Sequence, residues 1–158
     1  MICPSCGSAN DNGVFFCRQC RTLFLSNIDQ DGAPEEGERV LDLAHACELV
    51  RSGEWSLTEF HGYLEDFEAK QAAKEGEIHA TIKEIPFGLE EEFQEESQVG
   101  LEGVTSCNEA IGVLRRYDPE ITGDFPLEEG LGIFFSGISR VKEAMRINRR
   151  SYGRPLWL

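Results

Sequence analysis

Apolar side chains recur at steps of three and four residues along most of the chain from residue 39 onward. This spacing places them on one face of an α-helix, and it predicts a first helix over about Arg39–Ser52. The apolar positions of this helix are Val40, Leu43, Ala44, Cys47 and Val50. Gly53 is expected to end it, because glycine readily adopts the left-handed backbone conformation found after helices.

A capping box marks the start of the second predicted helix. Ser56 is the expected N-cap and Glu59 the third helical residue, so that each side chain bonds the backbone N–H of the other residue. The apolar positions are Leu57, Phe60, Leu64 and Phe67, and after a polar stretch Ile78, Ile82 and Ile85. Pro86 is expected to end this helix, because the residue before a proline disfavours the helical conformation.

Two more long helices are predicted. The third runs from near Leu89 to Tyr117, and the fourth begins at Pro126, which suits the first helical position. The stripe of the fourth is the most regular in the chain, with Leu127, Leu131, Phe134, Ile138, Val141 and Met145. Such alternation is typical of near-antiparallel helix packing. The sequence therefore predicts an all-α up-down bundle of about four helices over residues 39–150, in which the second and third helices form a long hairpin.

Four cysteines at the start of the chain form two Cys-x-x-Cys pairs. Cys3 and Cys6 form the first pair, Cys17 and Cys20 form the second, and ten residues separate the pairs. Zn²⁺ favours four such ligands in a tetrahedron, and a tight turn lets both members of a pair face one ion. The spacing predicts one structural zinc ion. Four thiolates fill its coordination sphere, so no position would remain for a catalytic water.

Short apolar stretches flank the second cysteine pair. Val14–Phe16 precede it and Thr22–Leu25 follow it, which predicts a small β-hairpin within residues 1–25. Gly7 supplies the permissive backbone needed after the first pair, whereas Arg21 follows the second pair. These 25 residues contain few apolar side chains, so we expect their folding to depend on the metal.

The segment resembles the short zinc-ribbon family, whose members read approximately Cys-Pro-x-Cys-Gly, a turn, and Phe-Cys-x-x-Cys. The matching residues are Cys3, Pro4, Cys6, Gly7, Phe16, Cys17 and Cys20. The resemblance covers only residues 1–25. It implies a structural zinc ion and a module that contacts protein or nucleic acid, and it implies no reaction.

Other uses of the cysteines stay open. Two disulfides would need an oxidising compartment, and the N-terminus shows no signal-peptide pattern. A redox Cys-x-x-Cys would need a surrounding βαβ pattern, which the sequence lacks, and four thiolates can also hold an iron–sulfur cluster. Cys47 and Cys107 lie within apolar stripes and are expected to be buried free thiols.

Charge and composition narrow the partners. The chain has 158 residues and a formal net charge of −14, so the helical part should repel phosphate groups. No apolar run is long enough to span a membrane, and we expect a cytoplasmic protein.

Residues 26–38 are polar and rich in acidic residues, which predicts a flexible linker. Residues 151–158 form an apolar tail, expected to dock on the bundle or to contact a partner.

The preferred interpretation is a zinc-binding interaction or adaptor protein without enzymatic activity. Its zinc ribbon would present a recognition tip to another protein, and the chain could form a homo-oligomer. The expected recognition residues are Asn10, Asn12, Phe15, Arg18 and Arg21. One alternative is a nucleic-acid-associated accessory factor that contacts DNA or RNA through the ribbon. A second alternative is an enzyme with a metal site inside the bundle, for which His45, His61 and His79 are the candidate ligands.

Overall fold

Four long helices form most of the described structure. A computed structural model describes residues 1–11, 17–20, 22, 24, 34–85, 87–88 and 90–152, with side chains omitted at 34–40, 90, 92 and 148–152. The helices are α1 (Pro34–Ser52), α2 (Leu57–Lys83), α3 (Glu90–Leu114) and α4 (Phe125–Tyr152). The predicted helical bundle of four helices is confirmed.

The first helix begins earlier than its apolar pattern predicts. It starts at Pro34 instead of Arg39, so residues 34–38 at the end of the predicted linker are helical. Proline is well suited to the first helical position, where its missing N–H has no partner to lose. The remainder of the predicted linker, residues 26–33, lies outside the described residues.

The capping box at the start of α2 is confirmed. Ser56 has φ −73° and ψ 161°, its hydroxyl accepts from the Glu59 N–H at 3.3 Å, and its own N–H donates to Glu59 Oε2 at 2.8 Å. These bonds satisfy two backbone donors that a helix start otherwise leaves unpaired. The helix ends at Lys83, two residues before Ile85.

The closest helix pair is α3 and α4. A Cβ placed on Gly137 would lie 2.6 Å from the carbonyl oxygen of Gly103, and one placed on Gly103 would lie 2.7 Å from that of Gly137. The two backbones therefore touch at this point. Gly130 meets Leu114 in the same antiparallel arrangement. α2 runs beside α3 at a larger separation, and Glu68 of α2 pairs with Arg115, the residue after α3, at 2.7 Å.

One hydrophobic core joins the four helices. Its largest fully buried side chains are Leu43, Phe60, Leu64, Ile111, Leu114, Leu131 and Phe134. Aromatic rings link the helices, with Phe67 of α2 packed edge-on against Phe134 of α4 at a centroid distance of 5.5 Å. The predicted stripe positions in α1, the first half of α2, the second half of α3 and the first half of α4 thus face this core, whereas Ile82, Ile85 and Val141 lie outside it and are only partly buried. No helix in the described part of the chain has an apolar stretch of the length that a bilayer crossing requires.

The N-terminal segment has a small core of its own. Cys3, Cys17 and Phe24 are buried there, with Met1 and Cys20 against them. Residues 1–11, 17–20, 22 and 24 contain no β-hairpin and only one isolated antiparallel bridge, between Ile2 and Ala9. The predicted strand at 14–16 lies outside the described residues, so that part of the hairpin stays a prediction.

Candidate metal centre

The four N-terminal cysteines come together as one cluster. Their sulfur atoms all lie within 4.8 Å of one another, with Cys3 Sγ 3.5 Å from Cys20 Sγ and Cys6 Sγ 3.6 Å from Cys17 Sγ. Four thiolates at about 2.3 Å from a central ion would be separated by roughly 3.8 Å. A disulfide would bring two sulfurs to about 2.05 Å, and all four cysteines are free thiols. The cluster thus has dimensions that suit a tetrahedrally coordinated ion.

The first cysteine pair is shaped by backbone bonds around a glycine. Gly7 N–H donates to the Cys3 carbonyl oxygen and Cys3 N–H donates to that of Ser8, both at 2.9 Å. This tight turn requires a positive φ after Cys6, and Gly7 supplies it with φ 73°. A side chain at that position would strain the backbone, so the expected role of Gly7 is confirmed.

The second pair is closed by Thr22. Cys17 N–H donates to the Thr22 carbonyl oxygen at 2.9 Å, and the Thr22 hydroxyl lies 3.1 Å from Cys20 Sγ. The Gln19 N–H points at Cys17 Sγ from 3.4 Å. Backbone and hydroxyl donors aimed at sulfur stabilise a thiolate. Arg21 lies outside the described residues.

Two polar side chains support the cluster and were not predicted from the cysteine spacing. Ser8 Oγ lies 3.0 Å from Cys6 Sγ and 3.1 Å from Cys17 Sγ. Asn10 Nδ2 lies 3.5 Å from Cys17 Sγ, while its Oδ1 accepts from the Arg18 N–H at 2.8 Å. Asn10 therefore ties the first pair to the second. The only sequence signal for them is their polar character close to a ligand.

The thiols differ in how readily they ionise. Burial by itself would raise the pKa of Cys17, but hydrogen bonds from the Cys20 and Gln19 backbones and from Ser8 and Asn10 together lower that pKa to about 5. The Thr22 hydroxyl and backbone lower the pKa of Cys20. Burial raises the pKa of Cys3 to about 11, because removal from water disfavours the charged thiolate. A cation at the centre would remove that penalty and favour all four thiolates.

The structure describes two of the five residues that the sequence predicts as exposed recognition residues, and only one of the two is exposed. Asn10 is half-buried and committed to the bonds described above. Arg18 is exposed, and its guanidinium pairs with the Asp11 carboxylate at 2.6 Å. Asn12, Phe15 and Arg21 lie outside the described residues. Of the five residues named from the sequence, Arg18 is the one that the structure describes as exposed.

The remaining cysteines and the histidines stand apart from the cluster. Cys47 and Cys107 are buried in the helical core and belong to no disulfide, and burial raises the pKa of Cys47 far above its usual value. His79 Nε2 lies 3.7 Å from a Glu75 carboxylate oxygen. Across the described residues, the four N-terminal cysteines are the only set of three or more His, Cys, Asp or Glu side chains close enough to share an ion.

Comparison of the chain with models of protein families, with characterised proteins and with solved structures gives no match.

Proposed function

We propose that the chain holds one structural Zn²⁺ through Cys3, Cys6, Cys17 and Cys20, in a zinc ribbon. The observation that carries this proposal is the close approach of the four sulfur atoms, within 4.8 Å of one another. Thiolates are soft ligands, and a set of four in a tetrahedral arrangement suits Zn²⁺. The donors around Cys17 and Cys20 stabilise the deprotonated sulfurs that the ion needs.

Metal analysis of the purified chain tests this assignment. We expect one zinc per chain, and we expect Cys6→Ser to lose it because a structural site needs all four ligands. Cys47→Ala is the matched control, since it removes a buried thiol from the helical core and should leave zinc at one per chain. Bound iron with visible absorbance, or zinc that survives Cys6→Ser, would contradict the proposal.

The ribbon is proposed to act as a recognition module for another protein, without an enzymatic role. Four thiolates leave no coordination position for substrate or water, so the metal would serve to shape the surface around it. Arg18 is paired with Asp11, which reduces the positive charge available for a phosphate backbone. Together with a net charge of −14, this favours a protein partner over a nucleic acid.

A partner captured with the full chain from its own cells provides the test. Its binding should fall at least tenfold with Cys6→Ser and should be unchanged with Cys47→Ala. Salt-dependent binding of DNA or RNA to the intact chain, lost with Cys6→Ser, would favour the nucleic-acid alternative. A second metal ion retained in Cys6→Ser would favour the alternative of an enzyme with a metal site in the bundle.

A further inference from the structure

A groove runs along α3 beside the end of α2. It has a volume of about 770 Å³, and its lining includes Ile82 from α2, Ile85 from the turn just after α2, Leu101 from α3 and Arg140 from α4. The three apolar side chains are each only partly buried. Apolar side chains left half-covered between two helices favour a contact that removes them from water.

The rim of the groove carries negative charge and an unsatisfied polar atom. Glu102 already pairs with Arg140. Glu91 also lines the groove and is exposed, and no ion pair joins it to any residue that the structure describes. Ser97 Oγ is buried in the same wall without a hydrogen-bond partner in the described part of the chain. A peptide with a cation and backbone hydrogen-bonding groups would match this lining.

The end of α4 lies at the right place to supply such a peptide. Because α3 and α4 are antiparallel, the 12 residues of α4 after Arg140 extend about 18 Å toward the start of α3. The helix ends at Tyr152, and the antiparallel pairing of Gly137 with Gly103 brings that end to the level of the start of α3, where Glu91 lies. Residues 153–158 read Gly-Arg-Pro-Leu-Trp-Leu and can span about 20 Å when extended.

We propose that residues 153–158 of the same chain occupy this groove. Leu156 and Trp157 cover Ile82, Ile85 and Leu101, and Arg154 faces Glu91 at the near end. Gly153 permits the chain to turn back after α4, and Pro155 prevents helix continuation. Along the segment the positive side chain comes first and the apolar side chains follow, which is the order of the acidic end and the apolar floor along the groove. A second copy of the chain, or another protein, is the competing occupant that the experiment must distinguish.

Fluorescence of Trp157 reports directly on this docking. The chain has two tryptophans, so Trp55→Phe leaves Trp157 as the only one. In the full chain we expect a blue-shifted emission and acrylamide quenching several-fold weaker than in a free peptide of residues 151–158. Both should be independent of protein concentration. Quenching as strong as in the free peptide would overturn the proposal, and protection found only at high concentration would assign the groove to a second copy.

Two groove variants, each with a matched control, locate the contact. Leu101→Asp places a charge on the apolar floor and should raise Trp157 quenching to the level of the peptide. Ile121→Asp makes the same change at an exposed apolar side chain in the α3–α4 connection and should have no effect. Strong protection that persists in Leu101→Asp would show that the segment docks elsewhere.

A charge reversal at Glu91 tests the same contact even if Leu101→Asp loses helical structure. Glu91→Lys alters an exposed side chain and should raise quenching at least twofold through repulsion of Arg154. Glu65→Lys reverses an exposed charge on α2 and lies 17 residues, or about 26 Å of helix, before Ile82. Equal quenching in these two variants would overturn the proposed pairing of the segment with this groove.

Discussion

The hydroxyl of Ser8 lies between two of the four clustered sulfurs. It lies 3.0 Å from Cys6 Sγ and 3.1 Å from Cys17 Sγ, yet it has one proton and can donate to one sulfur at a time. Asn10 approaches Cys17 from another side. Partners of this kind orient the ligands of a metal site and tune the charge on them.

We expect Ser8→Ala to lower zinc affinity by about 10–100-fold, the usual cost of losing such a partner. Asn10→Ala should have a similar effect, because it also releases the Arg18 backbone N–H. Competition with a chromogenic chelator measures the affinity. Ser5→Ala is the control, since its side chain is exposed within the same turn. Equal affinities for Ser5→Ala and Ser8→Ala would show that the Ser8 hydroxyl has no part in metal binding.

The sequence identifies the four cysteines but not their supporting residues, and the reason is physical. Ligand spacing is a local property, because a tight turn between Cys3 and Cys6 follows from the residues between them. The contact of Ser8 and Asn10 with Cys17 depends on how the two turns meet in space. From the sequence Asn10 is expected to be an exposed recognition residue, whereas in the structure it contacts Cys17 and Arg18 of the second cysteine pair.

At the scale of single helices, the cap of α2 makes a prediction about pH. Hydrogen bonds from the Ser56 backbone and hydroxyl lower the pKa of Glu59 below 4.5. The bonds therefore contribute stability that is fully present above pH 4.5 and is lost as the pH falls through the lowered pKa. In urea unfolding, the stability difference between the unmodified chain and Glu59→Ala should be largest at neutral pH and should shrink in acid.

Removal of the Ser56 hydroxyl tests the contribution of the cap to stability independently of Glu59. Ser56→Ala should destabilise the chain by about 1 kcal/mol at neutral pH, as for other N-caps. Thr58→Ala alters the same exposed turn but leaves both cap bonds in place, and it should not lower stability. If the stability difference between the unmodified chain and Glu59→Ala stayed constant from neutral pH to below the lowered pKa, the Glu59 carboxylate would not stabilise the cap.

The glycines of α4 divide into two kinds. Gly137→Ala should destabilise the bundle by about 1–3 kcal/mol, because the added Cβ would lie 2.6 Å from the Gly103 carbonyl oxygen. Gly132→Ala, five residues earlier, meets nothing within 4 Å and should stabilise the chain by about 0.5–1 kcal/mol through helix propensity. Thermal unfolding followed by circular dichroism compares them. Equal effects would mean that α3 and α4 do not meet at Gly137.

The positions of the helices can be predicted from the apolar stripes, but the stripes do not show which two helices pack most closely. Ser56 and Glu59 predict the start of α2, because a helix cap depends on residues that are close in sequence. The pairing of α3 with α4 depends on Gly103 and Gly137, which carry no apolar side chain and so do not appear in a stripe. The early start of α1 at Pro34 was missed for a related reason, because its first turn is polar.

For the whole molecule, packing contributes more to stability than surface charge does. The ion pairs that join a helix to the turn after α3, Glu68–Arg115 at 2.7 Å and Glu129–Arg116 at 3.3 Å, are substantially exposed, and each contributes at most about 1 kcal/mol. The buried side chains form two clusters, one in the helices and one around the cysteines. No described residue belongs to both clusters, and we expect each to be stabilised separately.

Removal of the metal should therefore disrupt the N-terminal segment and leave the helices folded. With chelator, or in Cys6→Ser, we expect protease cleavage within residues 1–25 and an unchanged melting temperature of the helical signal. A coupling of about 1 kcal/mol between the clusters would shift that temperature by roughly 2–4 °C in a chain of this size. Phe134→Ala is the reciprocal control, because it should lower the melting temperature while one zinc remains bound per chain. A loss of helical signal on chelation would show that the metal also stabilises the bundle.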